Sequence, residues 1–175
     1  MKKIDFYEVT NEYREYLRLK EKKVPSNDYH NHSKFFCGIV LEINGYKYLA
    51  PLSSYNKKVT TNMLIFDDDK AISSIRFSFM IPVPNQYLSR ISIKDHEDEK
   101  YKRLLLKEYN YCNEHADNIR KIANKVYKIG TNKKHPLFNK CCDFTLLEEL
   151  HDKYLNLTQN EPVSKEAAYA ESTND

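Results

Sequence analysis

An Asn-Gly pair at positions 44 and 45 lies between two β-prone runs in FFCGIVLEINGYKYLAPLSSYNKK, Phe35 to Lys58, and commits this part of the chain to a hairpin. Asn-Gly is the preferred pair for a two-residue turn of type I′, in which both central residues take positive φ. With the turn at those two residues, Ile43 pairs with Tyr46, and Glu42 faces Lys47 as a favourable cross-strand charge pair. Continuing that register, Val40 meets Leu49, Phe36 meets Ser53, Phe35 meets Ser54 and Lys34 meets Tyr55. A lysine and two serines then arrive at the same open end of one ladder. Pro51 has no N–H, so the ladder is expected to loosen there and free neighbouring groups for a ligand. That leaves open which serine shares a face with Lys34.

The chain has 175 residues, enough for one domain with a core that needs no covalent staples. Cys37, Cys112, Cys141 and Cys142 form no C-x-x-C pair, so reduced thiols are expected rather than a zinc ribbon or a thioredoxin-type motif. The opening MKKIDFYEV has no apolar signal core and no run is long enough to span a bilayer; a soluble, cytoplasmic protein is expected. The net charge is +3, but residues 159–175 carry Glu161, Glu166, Glu171 and Asp175 against Lys165, which leaves +6 on residues 1–158. A basic body fits a polyanionic partner. The 14 tyrosines can stack on bases or sit half-buried in strands.

The pattern along the chain predicts an α+β fold. Asp5 to Val9 reads as a strand, followed by a helix capped at Thr10 or Asn11 and running to about Leu19. Lys20 to Lys34 is a polar loop, long for a mere connector. After the hairpin come a strand over Val59 to Ile65, a turn at Asp67-Asp68-Asp69 and a strand over Ala71 to Val83. Leu88 to Ile93 is expected to be the antiparallel neighbour of that last strand. Cys112, Ala116, Ile119, Ala123 and Val126 recur at spacings of four and three, one amphipathic stripe that Gly130 ends. Thr145 and Glu148 spell a capping box opening a final helix to about Leu155. Residues 1–158 are read as the domain and 159–175 as a polar, disordered tail.

Lysine and hydroxyl groups at the hairpin tip suit cleavage of RNA without a metal. The ribose 2′-OH must be helped toward the phosphorus and the charge on the phosphorane must be stabilised. A compact ammonium serves the second task, and serine or tyrosine hydroxyls can orient the 2′-OH or relay its proton. Taken from these residues alone, a hairpin ending in a solvated polar loop is the commoner outcome. His30 and His32 offer a metal pair or a general base, but no second ligand cluster accompanies them. No G-x-S-x-G elbow and no glycine-rich phosphate loop is present; the glycines are Gly38, Gly45 and Gly130.

GIVLEINGYKYLAPLSS, with Val24-Pro25 and Tyr29 upstream and Lys34 just before it, resembles the core of the ToxN/AbiQ family of type III toxin–antitoxin toxins. FYEVTNEYREYL near the start, FMIP at Phe79 to Pro82, YKRLLLKE at Tyr101 to Glu108 and CDFTLLEEL at Cys142 to Leu150 extend the likeness, in order, over nearly the whole chain. The resemblance implies a compact, twisted antiparallel β-sheet wrapped by helices, similar to the Kid/MazF class. It also implies an endoribonuclease that needs no metal or cofactor, cuts RNA at A-rich sites and leaves a 2′,3′-cyclic phosphate and a 5′-hydroxyl. The catalytic hydroxyl, second after the APL motif, falls on Ser54, with Ser53 before it and Lys34 ahead of the hairpin. RNA-binding positions fall on Tyr13, Tyr29, Lys57 and Lys58.

The partners so implied are cellular or phage mRNA as substrate and an inhibitory antitoxin. That antitoxin is a tandem-repeat RNA, trimmed by the toxin into pseudoknot units that close an assembly with it. Such systems act in phage defence by growth arrest. An RNA-binding module that sequesters RNA without cutting it is the alternative. A third reading is an interaction protein whose hairpin pairs with another strand.

Overall fold

The computed structural model describes residues 3–26 and 35–159. Tyr29, His30, His32 and Lys34, together with the tail from Asn160 onward, lie outside the described residues. The elements are β1 (Phe6–Val9), α1 (Asn11–Lys20), β2 (Phe36–Ile43), β3 (Tyr46–Ser53), β4 (Asn62–Asp67) and β5 (Lys70–Arg76). They continue with β6 (Ile81–Pro82), β7 (Leu88–Arg90), α2 (Glu99–Glu114), α3 (Ala116–Gly130) and α4 (Phe144–Gln159). The strands form one antiparallel sheet in the order β4-β5-β3-β2-β1-β7, and β6 also pairs with β3. This is the α+β arrangement expected. Leu88–Arg90 pairs with β1, however, and not with the strand that precedes it.

The hairpin turn forms as its two residues dictate, with φ of +52° at Asn44 and +84° at Gly45. Ile43 pairs with Tyr46 and Glu42 with Lys47, and Leu41 follows against Tyr48. Beyond that rung the expected register fails. Cys37 pairs with Ala50 and Phe36 with Pro51, so Gly38, Ile39 and Val40 together span the interval that Leu49 alone fills on β3. Val40 therefore does not register with Leu49, and Phe36 does not reach Ser53. The carbonyl of Phe35 accepts the Leu52 N–H at 3.0 Å, which sets Phe35 beside Leu52 rather than Ser54.

A β-bulge of this kind has a non-local cause. The Gly38 N–H donates to the Asp5 carbonyl at 2.8 Å, and the Tyr7 ring occupies the space where a β-carbon on Gly38 would stand. Ile39 beside it takes φ of +38°, a left-handed conformation that strains a β-branched residue. Packing from β1 thus holds the strand in a shape its own residues disfavour.

Pro51 does not loosen the ladder; it stays buried within β3. Backbone N–H groups alternate sides along a strand, and the Leu52 N–H points at β2. The N–H that Pro51 lacks would have pointed to the opposite side, between the last rung with β6 at Leu49 and the first rung with β5 at Leu52. No ladder bond is lost there.

The strand expected over Ala71 to Val83 is divided: β5 ends at Arg76, Phe77–Phe79 makes a single helical turn, and β6 follows. Cys112 and Ala116 lie on two helices rather than one. His115 (φ −105°, ψ 20°) breaks the run, its ring stacked on Tyr111 at 4.1 Å, yet both flanking faces stay buried, so the stripe crosses the break. At the last helix the expected capping box is replaced. Asp143 caps it by accepting the Leu146 N–H at 3.1 Å. Glu148 instead accepts the Tyr48 and Tyr127 hydroxyls at 2.8 Å each, tying α4 to the hairpin and to α3.

Glu108 on α2 is buried, and burial raises its carboxyl above the ordinary range. The folded chain therefore binds this proton more tightly than the unfolded chain. The resulting stability is complete below the unfolded pKa, about 4.3, and is lost as pH rises through the folded value. Glu108→Gln is expected to melt with the wild type near pH 4 and above it at pH 8. A variant that melts lower at pH 8 would contradict this assignment.

Candidate active-site cleft

Ser53 closes β3 opposite Ser74 of β5, and Ser54 begins the exposed loop that follows. A cleft of about 420 Å³ opens there, lined by Pro51, Ser53, Ser54, Tyr55, Asn56, Arg76 and Phe79. The pleat explains this grouping. Alternate residues share a face, so Pro51 and Ser53 of β3 lie on one side with Ser74 and Arg76 of β5. The loop then folds Ser54 and Tyr55 over that side.

Local hydrogen bonds hold the loop in place. The Ser53 Oγ accepts the Tyr55 N–H at 3.2 Å, a short turn typical of serine. Ser74 donates its hydroxyl to the Tyr55 carbonyl at 2.5 Å. Asn62 binds the far end: its Nδ2 donates to the Lys57 carbonyl at 2.9 Å and its Oδ1 accepts the Val59 N–H at 3.0 Å. The Lys58 Nζ donates to the Asn62 carbonyl at 2.7 Å, which leaves two of its three N–H donors for other partners. Lys57 is exposed.

The guanidinium of Arg76 lies over the Tyr55 ring at 4.7 Å and over the Phe79 ring at 4.8 Å. It is the residue that reading the sequence missed. IRFSF presents itself as one apolar strand with an incidental arginine, and only the pairing of β5 with β3 brings Arg76 beside the serines.

Tyr13 stands elsewhere. It is wholly buried, donates its hydroxyl to the Pro82 carbonyl at 2.6 Å, stacks on Tyr87 at 5.3 Å and meets Tyr154 edge-on. Pro82 pairs with Tyr48, five residues along β3 from Ser53, roughly 17 Å at strand spacing. Burial, ahead of the neighbouring Tyr87 and Asp152, holds the Tyr13 phenol far above its ordinary pKa. This position, expected to touch RNA, is a core tyrosine that fixes α1 to the sheet and presents no surface to a strand of RNA.

Residues 5–152 match the family of ToxN toxins of type III toxin–antitoxin systems. This chain belongs to that family. Endoribonuclease ToxN of Bacillus thuringiensis subsp. kurstaki is 36% identical over 161 residues, 85% of this chain and 83% of that protein. Among solved structures, a type III toxin selectively inhibited by a non-coding RNA pseudoknot aligns with a TM-score of 0.80 at 35% identity, covering 88% of this chain and 99% of the other. AbiQ, a lactococcal anti-phage endoribonuclease of a type III toxin–antitoxin system, aligns with a TM-score of 0.79 at 27% identity, covering 89% and 99%.

Within this ToxN-family chain, Ser53 and Ser54 line one cleft and Lys57 and Lys58 leave it on the same loop. Lys34 and Tyr29 fall outside the described residues; Phe35, which follows Lys34 in sequence, is anchored to Leu52, next to Ser53. No described helix is long and apolar enough to cross a membrane.

Proposed function

We propose that this chain is an endoribonuclease toxin that cuts single-stranded, A-rich RNA at the Ser53–Ser54 cleft by metal-independent transesterification. The observation that carries the reading is two adjacent hydroxyls opening into a cleft on a fold whose relatives are endoribonucleases. In the reaction the 2′-oxygen bonds to phosphorus, the P–O5′ bond breaks, and the 2′ proton leaves as the 5′-oxygen gains one. The products are a 2′,3′-cyclic phosphate and a 5′-hydroxyl. Ser54 orients the 2′-OH or relays its proton. Ser53 accepts the Tyr55 N–H, so its own O–H is free to point at a phosphate oxygen. Lys34 supplies positive charge to the phosphorane, and Tyr29, Lys57 and Lys58 hold the strand.

The inhibitor in this reading is a pseudoknot RNA that the toxin trims from a tandem-repeat transcript and that closes an assembly with it. Residues 116–140 support a large polyanionic partner. They carry seven Lys or Arg against one Asp, a net of +6 where the whole chain is +3. Lys121, Lys125 and Lys128 stand exposed along one side of α3. Free toxin would arrest growth on phage infection.

The test is cleavage of single-stranded RNA by the purified protein in EDTA, with analysis of the fragment ends. Cyclic phosphate and 5′-hydroxyl ends are expected. Ends bearing 3′-hydroxyls, or no cutting in EDTA, would reject the mechanism, and tight RNA binding without cutting would favour the sequestering module.

A further inference from the structure

We propose that Arg76 is the phosphate clamp of this cleft, gripping a phosphodiester of the bound strand through the N–H donors of a guanidinium packed against two aromatic rings. The inference rests on the nuclease reading above and adds to it a residue that neither the hairpin nor the loop supplies.

The geometry leaves the guanidinium little else to do. The Tyr55 and Phe79 ring centroids both lie within 5 Å of its central carbon, at 4.7 and 4.8 Å, so two aromatic rings pack against the charge. Hydrogen bonding is left to its N–H groups. Arginine has five such donors and stays charged at any working pH. Among the described residues, none of these donors reaches a protein acceptor, no carboxylate pairs with the charge, and the Nε is itself buried. A half-buried arginine packed against two rings, with no acceptor for its donors among the described residues, is prepared for an anion. The planar fork matches two phosphate oxygens at once.

Arg76 sits on the same face of the sheet as Ser53 and lines the same cleft as Ser54. An anion held there would lie beside the Ser54 hydroxyl proposed to act on the 2′-OH and the Ser53 hydroxyl proposed to meet a phosphate oxygen. Arg76 transfers no proton in the step. It donates hydrogen bonds to non-bridging oxygens, which grow more negative as the 2′-oxygen bonds to phosphorus and before the P–O5′ bond breaks. Tyr55 is then a positioning residue: its ring packs against the guanidinium at 4.7 Å, and the Ser74 and Ser53 hydroxyls hold Tyr55.

The test compares wild type, Arg76→Ala and Arg76→Lys on a short single-stranded RNA in EDTA, with binding of an uncleavable 2′-deoxy analogue measured against salt. Arg76→Ala is expected to lower kcat/KM about 10²-fold, and Arg76→Lys to recover part of that because the charge remains without the fork. The salt slope of binding should fall by about 0.7, one phosphate contact on a single strand. A phosphorothioate at the cleaved position should slow the wild type for one stereoisomer, and Arg76→Ala should lose that preference, which a merely structural residue would not do. Tyr55→Leu, which removes the ring packed against the guanidinium, should share the Arg76→Ala defect, including the lost stereoisomer preference.

An Arg76→Ala protein that melts like wild type, cuts as fast and keeps the salt slope would overturn the clamp while leaving the nuclease reading intact. If the wild type binds the RNA without cutting it, the nuclease reading falls. In that event a reduced slope in Arg76→Ala upholds the phosphate contact, and an unchanged slope removes it.

Discussion

Ser54→Ala is expected to slow RNA cleavage by about 10²–10⁴-fold, the range lost when a positioned proton-transfer group is removed, while leaving folding and RNA binding near wild type. The separation follows from where Ser54 lies. It is exposed, it follows the last residue of β3, and its side chain makes no hydrogen bond among the described residues. Removing one exposed hydroxyl should change stability by less than about 0.5 kcal/mol. Ser53→Ala differs in kind, because the Ser53 Oγ accepts the Tyr55 N–H. Its loss costs about 0.5–1.5 kcal/mol of hydrogen bonding and frees the ring that fixes Arg76. Ser53→Ala should therefore weaken binding as well as turnover, and Ser54→Ala turnover alone. Single-turnover cleavage, binding to the pseudoknot RNA and thermal melting, measured on both, separate these outcomes. A Ser54→Ala protein that arrests growth like the wild type would remove Ser54 from the mechanism.

What could be read from the residues and what could not divides along the range of the interactions. The turn at Asn44-Gly45 and the rungs at Ile43–Tyr46 and Glu42–Lys47 are decided by neighbours in sequence, and they form as read. The serines are legible for the same reason, because they trail a strand whose direction the turn sets. The bulge at Gly38 to Val40 is decided by Tyr7 and Asp5, more than 30 positions away, and no local pattern announces it. Arg76 is hidden in the same way, since its neighbours in the cleft belong to β3 and its loop. Tyr13 shows the converse. A tyrosine early in an amphipathic helix can face solvent or core with equal propriety, and Pro82 and Tyr87 settle it for the core. Periodicity carried the helical stripe through His115 because burial on both sides is preserved even where the helical dihedrals are not.

Gly38→Ala is expected to destabilise the fold by about 2–4 kcal/mol, combining overpacking of about 1–3 kcal/mol with a weakened hydrogen bond. For a chain of this length that lowers Tm by about 5–15 °C. An alanine β-carbon would stand 2.3 Å from the Tyr7 Cε2 and 2.6 Å from the Asp5 carbonyl oxygen. The tyrosine ring could swing aside, but the carbonyl is backbone and accepts the Gly38 N–H at 2.8 Å. Relief therefore requires β1 to part from β2 where the bulge is held. Gly45→Ala is the control: nothing lies within 4 Å of its β-carbon, so only the positive φ is penalised, about 1–2 kcal/mol. The two variants should also differ in activity. Gly45 lies at the closed end of the hairpin, so Gly45→Ala should cut RNA normally well below its melting point. Gly38→Ala should lose activity even when folded, because the bulge sets the register that brings Phe35 to Leu52, beside Ser53. Melting curves and cleavage rates at one low temperature check both points. A Gly38→Ala protein with wild-type Tm and rate would show that β1 does not hold the bulge.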